Sequence, residues 1–371
     1  MPVSEEETEF EIEPDARAVL QALARRKNVI ITGPPGTGKS RLLNQVRALF
    51  EWDSGSTGSD PYGDIPLPAE RGPIPAWFPS PDQIESRHTF PTVFDQNTKY
   101  RDFMRGLVPQ VTNPGAFIVT SGTLYRASVH AAEDGNAALV IVDEINRGPA
   151  VAAFGSALVG LESDKRRGAE GEQRFEILND FGESVTYSLP PDLYVLGAMN
   201  EADTSVEPLD VAFLRRFAPY RLEPHAEVLR PHLGLGRTPD GTLPDTPSDP
   251  STVYEALARA WARVNHQITL ARGAAYQLGH GALMHRTAPT ADLPAAQEYT
   301  QEAWATLRGH LDEVFYGDTR AMVDLLLAED DRSPYTLEEG TFAGQAVSRI
   351  LGPTRPDSEQ LYLLLRLISQ E

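Results

Sequence analysis

The chain has 371 residues, 41% of them hydrophobic and 8% aromatic, with a formal net charge of −20 and no cysteine. This length and composition imply two or perhaps three globular domains, and the missing thiols exclude disulfides and cysteine-based metal or redox chemistry. So acidic a field does not hold a polyanion on its own, so any nucleic-acid contact needs a local basic patch, a pore formed on assembly, or a partner that supplies the charge.

Residues 1–14 read as an acidic tail, without the basic and apolar regions of a signal peptide. No apolar run approaches the ~18 residues of a membrane span, so no membrane contact is expected and cytoplasm is the expected compartment. Residues 15–26 read as a helix with Val19, Leu20 and Leu23 on one face. The apolar Val29-Ile30-Ile31 then predicts a strand, and it runs into Gly33-Pro34-Pro35-Gly36-Thr37-Gly38-Lys39-Ser40. This stretch fits G-x-x-x-x-G-K-[ST] at every fixed position, and the helix-like 41–47 follows, which is the strand–loop–helix setting the motif requires. The glycines let the loop over residues 33–38 fold around phosphate so that several backbone N–H groups turn inward, and the N-terminus of the following helix adds a favourable dipole. Lys39 would reach the β- and γ-phosphates and Ser40 would hold Mg²⁺, so the chain is expected to bind a nucleoside triphosphate.

Residues 51–82, rich in Gly, Ser and Pro, read as a long surface insertion or a partner-docking element. A short strand is expected at 89–94 and one or two helical turns at 100–107. Ala138-Leu139-Val140-Ile141-Val142 is continuously apolar, the pattern of a strand covered on both faces. Alternation on either side of Asn179-Asp180-Phe181-Gly182 predicts a hairpin within 174–189, and further strands are expected at 193–199 and 220–222. Lys165-Arg166-Arg167, between these elements, reads as a solvated charged face. After a Gly/Pro/Asp-rich stretch at 233–250 the chain turns helical. Thr252 with Glu255 makes a capping box, Leu257, Trp261, Val264 and Ile268 line one face, and Gly273 is the stop. Helices are also expected at 301–316, 319–328 and 358–369. The reading is therefore an α/β domain over 15–222 with a mostly parallel sheet, a helical domain over 223–330, and a helical extension over 331–371.

The predicted strand at 138–142 ends in Asp143-Glu144. An acid in that place, downstream of a phosphate loop, is where Mg²⁺ is held, and Glu144 is placed to activate water as a general base. The next strand ends in Met199-Asn200, whose amide can position that water and sense the γ-phosphate, although a turn-forming Asn has the same look. Leu214-Arg215-Arg216-Phe217 closes a helix-like run. Its arginines read either as fingers supplied to a neighbouring subunit or as partners of a helix C-terminus.

The order and content of these motifs resemble the AAA+ domain of the McrB-like NTPases, in the dynein/MoxR-related clade. The resemblance rests on the phosphate loop, Val142-Asp143-Glu144-Ile145-Asn146-Arg147, Met199-Asn200-Glu201-Ala202-Asp203-Thr204-Ser205 and Leu214-Arg215-Arg216-Phe217, with Gln277-Leu278-Gly279-His280 in the helical domain. It implies an AAA+ P-loop NTPase with a five-stranded mostly parallel sheet and a helical lid domain. By position it carries over phosphate and metal contacts to Lys39 and Ser40, metal and water to Asp143 and Glu144, and the first sensor to Asn200. Asp203 and Asn146 join the nucleotide site, Asn146 and Arg147 reach the next subunit's site, and Arg215 or Arg216 is the finger. It also implies a hexameric ring serving a modified-cytosine-dependent restriction system, with an McrC-like subunit supplying the nuclease and DNA engaged through the complex. Glu201 and Thr204 replace the family's usual Thr and Arg in a signature associated with guanine nucleotides, so ATP is the expected substrate and GTP the alternative. No nuclease constellation and no DNA-reading domain ahead of residue 15 is read. The alternative functions are a MoxR-like chaperone that remodels a protein partner, or a nucleotide-gated binding scaffold.

Overall fold

The computed structural model describes residues 12–51, 74–80, 86–203, 209–239 and 241–370. Most of the acidic tail, most of the insertion expected at 51–82, and Thr204 and Ser205 lie outside them. The chain forms two units, Met1–Thr32 with Lys39–Arg221, and Gly33–Gly38 with Leu222–Glu371.

In the first unit α1 (Pro14–Arg26), β1 (Asn28–Thr32), α2 (Lys39–Glu51), β2 (Ser86–Val93) and the short α3 (Tyr100–Phe103) come first. They are followed by β3 (Arg105–Pro109), β4 (Phe117–Ser121), α4 (Thr123–His130), β5 (Asn136–Asp143) and α5 (Ala150–Phe154). The unit ends with β6 (Phe175–Leu178), β7 (Ser184–Tyr187), β8 (Leu193–Ala198), α6 (Val211–Leu214) and β9 (Ala218–Arg221). Five strands make one parallel sheet in the order β2-β5-β8-β1-β9, with Val140 beside Val195 and Ile30 between Gly197 and Pro219. The three inner strands β5, β8 and β1 are the continuous apolar runs, buried along almost their whole length. Each edge strand carries a proline, Pro91 in β2 and Pro219 in β9, at positions where a missing N–H is tolerated and where it blunts the open edge. Phe94, Phe103, Phe154, Phe213 and Phe217 pack edge-on or tilted beneath the sheet and give this unit its aromatic core.

Two expectations for this unit need correction. The helix expected at 100–107 stops at Phe103, because Arg105–Pro109 pairs antiparallel with Phe117–Ser121, Leu107 facing Val119. The basic run is not a uniformly solvated face, since Arg166 at its centre is 1% exposed.

The second unit is mainly helical. It contains α7 (Ala226–His232), α8 (Pro250–Arg272), α9 (Leu293–Val314), α10 (Thr319–Leu326), the hairpin β10 (Thr336–Phe342) and β11 (Gln345–Leu351), and α11 (Ser358–Ile368). Trp261 and Trp304 anchor its core, each with its indole N–H satisfied, by the Leu278 carbonyl at 3.0 Å and the Tyr335 hydroxyl at 2.8 Å. The cap of α8 is Asp249, which accepts from the Thr252 N–H at 3.0 Å, and not the expected Thr252–Glu255 box. Glu255 turns inward to Arg230 at 2.8 Å and Arg259 at 2.6 Å. Helix α9 starts ahead of 301 because Asp292 caps it and Pro294 suits its first turn. The extension expected to be helical opens instead with the β10–β11 hairpin. Among the described residues no helix is long and apolar enough to cross a membrane.

Candidate active site

Parallel strands deliver their carboxyl ends to one edge of a sheet, which is where α/β proteins place ligands. Here β5 ends at Asp143 and β8 at Ala198, with Asn200 two residues beyond, and the two strands are neighbours. Asp143 Oδ1 accepts from the Glu144 N–H at 2.9 Å, and the next N–H, of Ile145, reaches the Ala198 carbonyl at 2.9 Å. Between them Glu144 sits at φ 51, a left-handed conformation that a side chain adopts at a cost of ~1–3 kcal/mol and that concentrates at functional positions. The strain turns its carboxylate toward the tip of β8, where Asn200 Nδ2 donates to Glu144 Oε1 at 3.3 Å. Asn146 is buried and donates to the Asn200 carbonyl at 3.1 Å. Arg147 is exposed and pairs within its own chain, with Glu144 at 3.4 Å and Asp203 at 3.6 Å.

Lys39 and Ser40 open α2, Ser40 exposed and Lys39 half-buried. Burial pushes the Lys39 ammonium down to about 8, against the opposing pull of Glu144, Asp143 and Glu201. So the cation lies within the field of the strand-end acids. Glu201 has a fixed place in this arrangement because β8 and β9 flank β1. Arg221, the last residue of β9, ion-pairs with Glu201 just beyond β8. In the sequence Glu201 stands out only as a departure from the family signature, and nothing there marks Arg221.

The donor set fits Mg²⁺. Ser40 supplies a hydroxyl and Asp143 an oriented carboxylate, and among the described residues no group of three or more His, Asp or Glu side chains forms a closed metal cage. A cation held by one or two protein oxygens plus substrate phosphates needs no such cage. The buried Oδ1 atoms of Asn200 and Asn146 have no hydrogen-bond partner among the described residues, leaving two acceptors open beside Glu144.

The loop itself belongs to the second unit. Gly36 and Gly38 take φ 76 and 88, which close the turn, and Thr37 Oγ1 donates to the Pro34 carbonyl at 2.9 Å. Gly33 and Pro34 are buried, and the Pro35 and Gly36 carbonyls accept from the N–H groups of Gly279 and Gly281, both at 2.8 Å. His280 between them is buried, its Nδ1 accepting from the His225 N–H at 3.2 Å. A Cβ at residue 279 would stand 2.1 Å from the Gly36 carbonyl carbon and 2.3 Å from the Thr37 nitrogen. Gly279 was legible only as part of a family motif, without a role.

Arg215 and Arg216 have separate fates. The Arg216 side chain is tied to the Leu158 carbonyl at 3.1 Å and to the Ala212 carbonyl, whereas Arg215 is exposed and its side chain has no hydrogen-bond or ion-pair partner among the described residues.

Residues 23–156 match the family model of the AAA domain. The chain is 26% identical over 275 residues to the type IV methyl-directed restriction enzyme EcoKMcrB subunit of Escherichia coli K12, covering 72% of this chain and 50% of that one. It is 28% identical over 222 residues to the type II restriction enzyme BsuMI component YdiS of Bacillus subtilis 168, covering 54% of this chain and 58% of the relative. The chain thus spans about half the length of the curated relatives it matches. Among solved structures, a putative ATPase from Cytophaga hutchinsonii superposes with a TM-score of 0.31 at 14% identity, over 80% of this chain and 74% of its own, too loosely to carry an argument. The family match, the two relatives and the arrangement of acids around Lys39 agree: the chain carries the AAA fold of a nucleoside-triphosphate hydrolase and is similar in sequence to these McrB-type restriction subunits.

Proposed function

We propose that the chain is the nucleotide-driven motor subunit of a cytoplasmic DNA restriction and defence system, assembling as a homo-oligomeric ring, most simply a hexamer, beside a separate McrC-like nuclease subunit. The observation that carries the hydrolytic part is the Glu144–Asn200 pair at the tips of adjacent strands, within the field of Lys39. Glu144 acts as the base that takes the proton of the attacking water. Asn200, its amide nitrogen on Glu144 and its open Oδ1 facing away from that bond, orients the same water. The N–H groups of the non-proline residues of the loop 33–38 and the Lys39 ammonium hold the phosphates, with Ser40 and Asp143 as the ligands for Mg²⁺, which when bound would neutralise charge on the β- and γ-phosphates. Arg215 of a neighbouring subunit supplies the transition-state cation. ATP is the expected substrate. A GTP turnover more than about tenfold faster, ~1.4 kcal/mol of transition-state preference, would reverse that choice.

The test of the chemistry is a pair of variants. Lys39→Ala should abolish nucleotide binding, and Glu144→Gln should bind nucleotide but not hydrolyse it, because it keeps the shape and removes the base. Turnover by Glu144→Gln at the wild-type rate would show that the base lies elsewhere. The restriction reading is supported by the two relatives and is tested by affinity purification from the native host. A co-purifying nuclease subunit supports it, whereas a von Willebrand-type partner without a nuclease would move the chain to the chaperones.

A further inference from the structure

Arg166 is a buried cation with no carboxylate against it. Its Nε donates to the Leu161 carbonyl and its Nη2 to Asn28 Oδ1, both at 3.0 Å, and Nη1 finds no partner among the described residues. Burial pushes the guanidinium down to about 9. A charge desolvated among neutral acceptors is a costly way to fill space that an apolar side chain of similar volume would fill. What the arrangement supplies is direction. Asn28, fully buried at the start of β1, has its carbonyl oxygen taken by Arg166, so its amide nitrogen points the other way. That nitrogen donates to the Leu161 carbonyl at 2.7 Å and to the Arg216 carbonyl at 3.2 Å. The Arg216 side chain in turn grips the carbonyls of Leu158 and Ala212. The backbone on either side of Arg215 is therefore clamped while Arg215 itself projects from the surface.

We propose that Arg166, acting through Asn28, is a positioning residue that fixes the direction in which Arg215 leaves α6, and so sets how well one subunit completes its neighbour's site. This rests on the reading of Arg215 as an arginine supplied in trans. Nothing in the basic run Lys165-Arg166-Arg167 forecasts it, since only burial separates Arg166 from its neighbours.

Two variants test it beside Arg215→Ala. Arg166→Met removes the guanidinium and keeps most of the volume. Asn28→Asp gives Arg166 a counter-charge but replaces the donor facing the Arg216 carbonyl with an acceptor. For both we expect affinity for a fluorescent ATP analogue within about twofold of wild type and turnover lowered at least about tenfold. Turnover should return when either is mixed with Lys39→Ala chains, which cannot bind nucleotide but carry a correctly held Arg215. A residue needed only for folding would lower affinity and melting temperature together and would not be rescued. If Arg215→Ala keeps wild-type turnover, the underlying reading of Arg215 fails, and the positioning role with it. If Arg215→Ala is impaired and rescued by mixing, the positioning role alone is overturned by either of two results in a folded Arg166→Met or Asn28→Asp protein: full turnover, or a loss that mixing does not restore. Should Arg166→Met not fold, Asn28→Asp decides.

Discussion

Two adjacent arginines with equal standing in the sequence are divided by what surrounds them. Arg216 spends its guanidinium on the carbonyls of Leu158 and Ala212, and Arg215 spends none among the described residues. Replacing Arg216 with Ala should therefore lower stability, by ~1.5–3 kcal/mol for each charge-assisted hydrogen bond lost. Replacing Arg215 with Ala should leave the melting temperature unchanged and lower turnover on the order of 10³-fold, the lower end of what an arginine finger supplies. Thermal unfolding and turnover on both variants check this, and an Arg215→Ala protein that melts earlier than Arg216→Ala would reverse the assignment. The same division marks how far single residues were legible. Asp143, Glu144 and Asn200 could be placed because an acid or amide directly after an apolar strand has a defined position. Arg166 and the Glu201–Arg221 pair could not, because each depends on which distant segment covers it.

At the scale of elements, sequence patterns forecast what is buried and miss what is exposed. Strands β1, β5 and β8 announce themselves as continuous apolar runs, whereas β10 and β11 are exposed along nearly their whole length and carry no burial period to read. Helix α8 was legible by its apolar face, but its cap was misplaced, since Ser248-Asp249-Pro250 precedes the Thr-x-x-Glu pattern and starts the helix earlier. Asp249 accepts from Ser248, Ser251 and Thr252, and those bonds hold its carboxyl down to about 2. A carboxylate with a lowered folded-state pKa stabilises above its unfolded value near 4, and that contribution is lost as the pH falls toward 2. Asp249→Ala should thus cost about 1 kcal/mol at neutral pH, with the difference from wild type shrinking between pH 4 and 2 in denaturant titrations. A difference independent of pH would show that the cap is not the charged carboxylate. The far end of α8 reaches the phosphate loop through a chain of contacts. Asn265 exchanges hydrogen bonds with the Leu278 backbone at 2.8 and 2.9 Å, and the next residue, Gly279, bonds to Pro35. The backbone of Gly279, at φ −65, is ordinary for any residue, so its requirement is purely one of space. Gly279→Ala should weaken nucleotide binding more than about tenfold with little change in melting temperature. Unchanged affinity in calorimetry would mean that the contact with the loop is incidental to binding.

For the whole molecule, charge is the controlling quantity. At −20 the chain repels a polyanion, and the basic clusters that could have offset this are reduced by the fold. Arg166 is buried and Arg216 is committed to carbonyls, while Lys165 pairs with Asp164 at 3.0 Å and Arg167 reaches the Ser188 carbonyl at 3.1 Å. A protein that neutralises few phosphates gains little from counterion release, so its affinity for duplex DNA should be weak and nearly flat with salt. The chain alone, modified or unmodified duplex alike, should give no anisotropy change at physiological salt in the micromolar range. Binding should appear only when a nuclease subunit or another partner brings the missing positive charge. Assembly could still gather residues into a pore, so the measurement is repeated with Glu144→Gln and ATP, which should trap the nucleotide-bound ring, its subunit number read by sedimentation. Tight, steeply salt-dependent binding by that trapped ring without a partner would place the DNA contact on this chain. If the trapped ring stays inert until a partner is added, the division of labour is the one its charge implies, with this subunit turning over nucleotide and another holding the DNA.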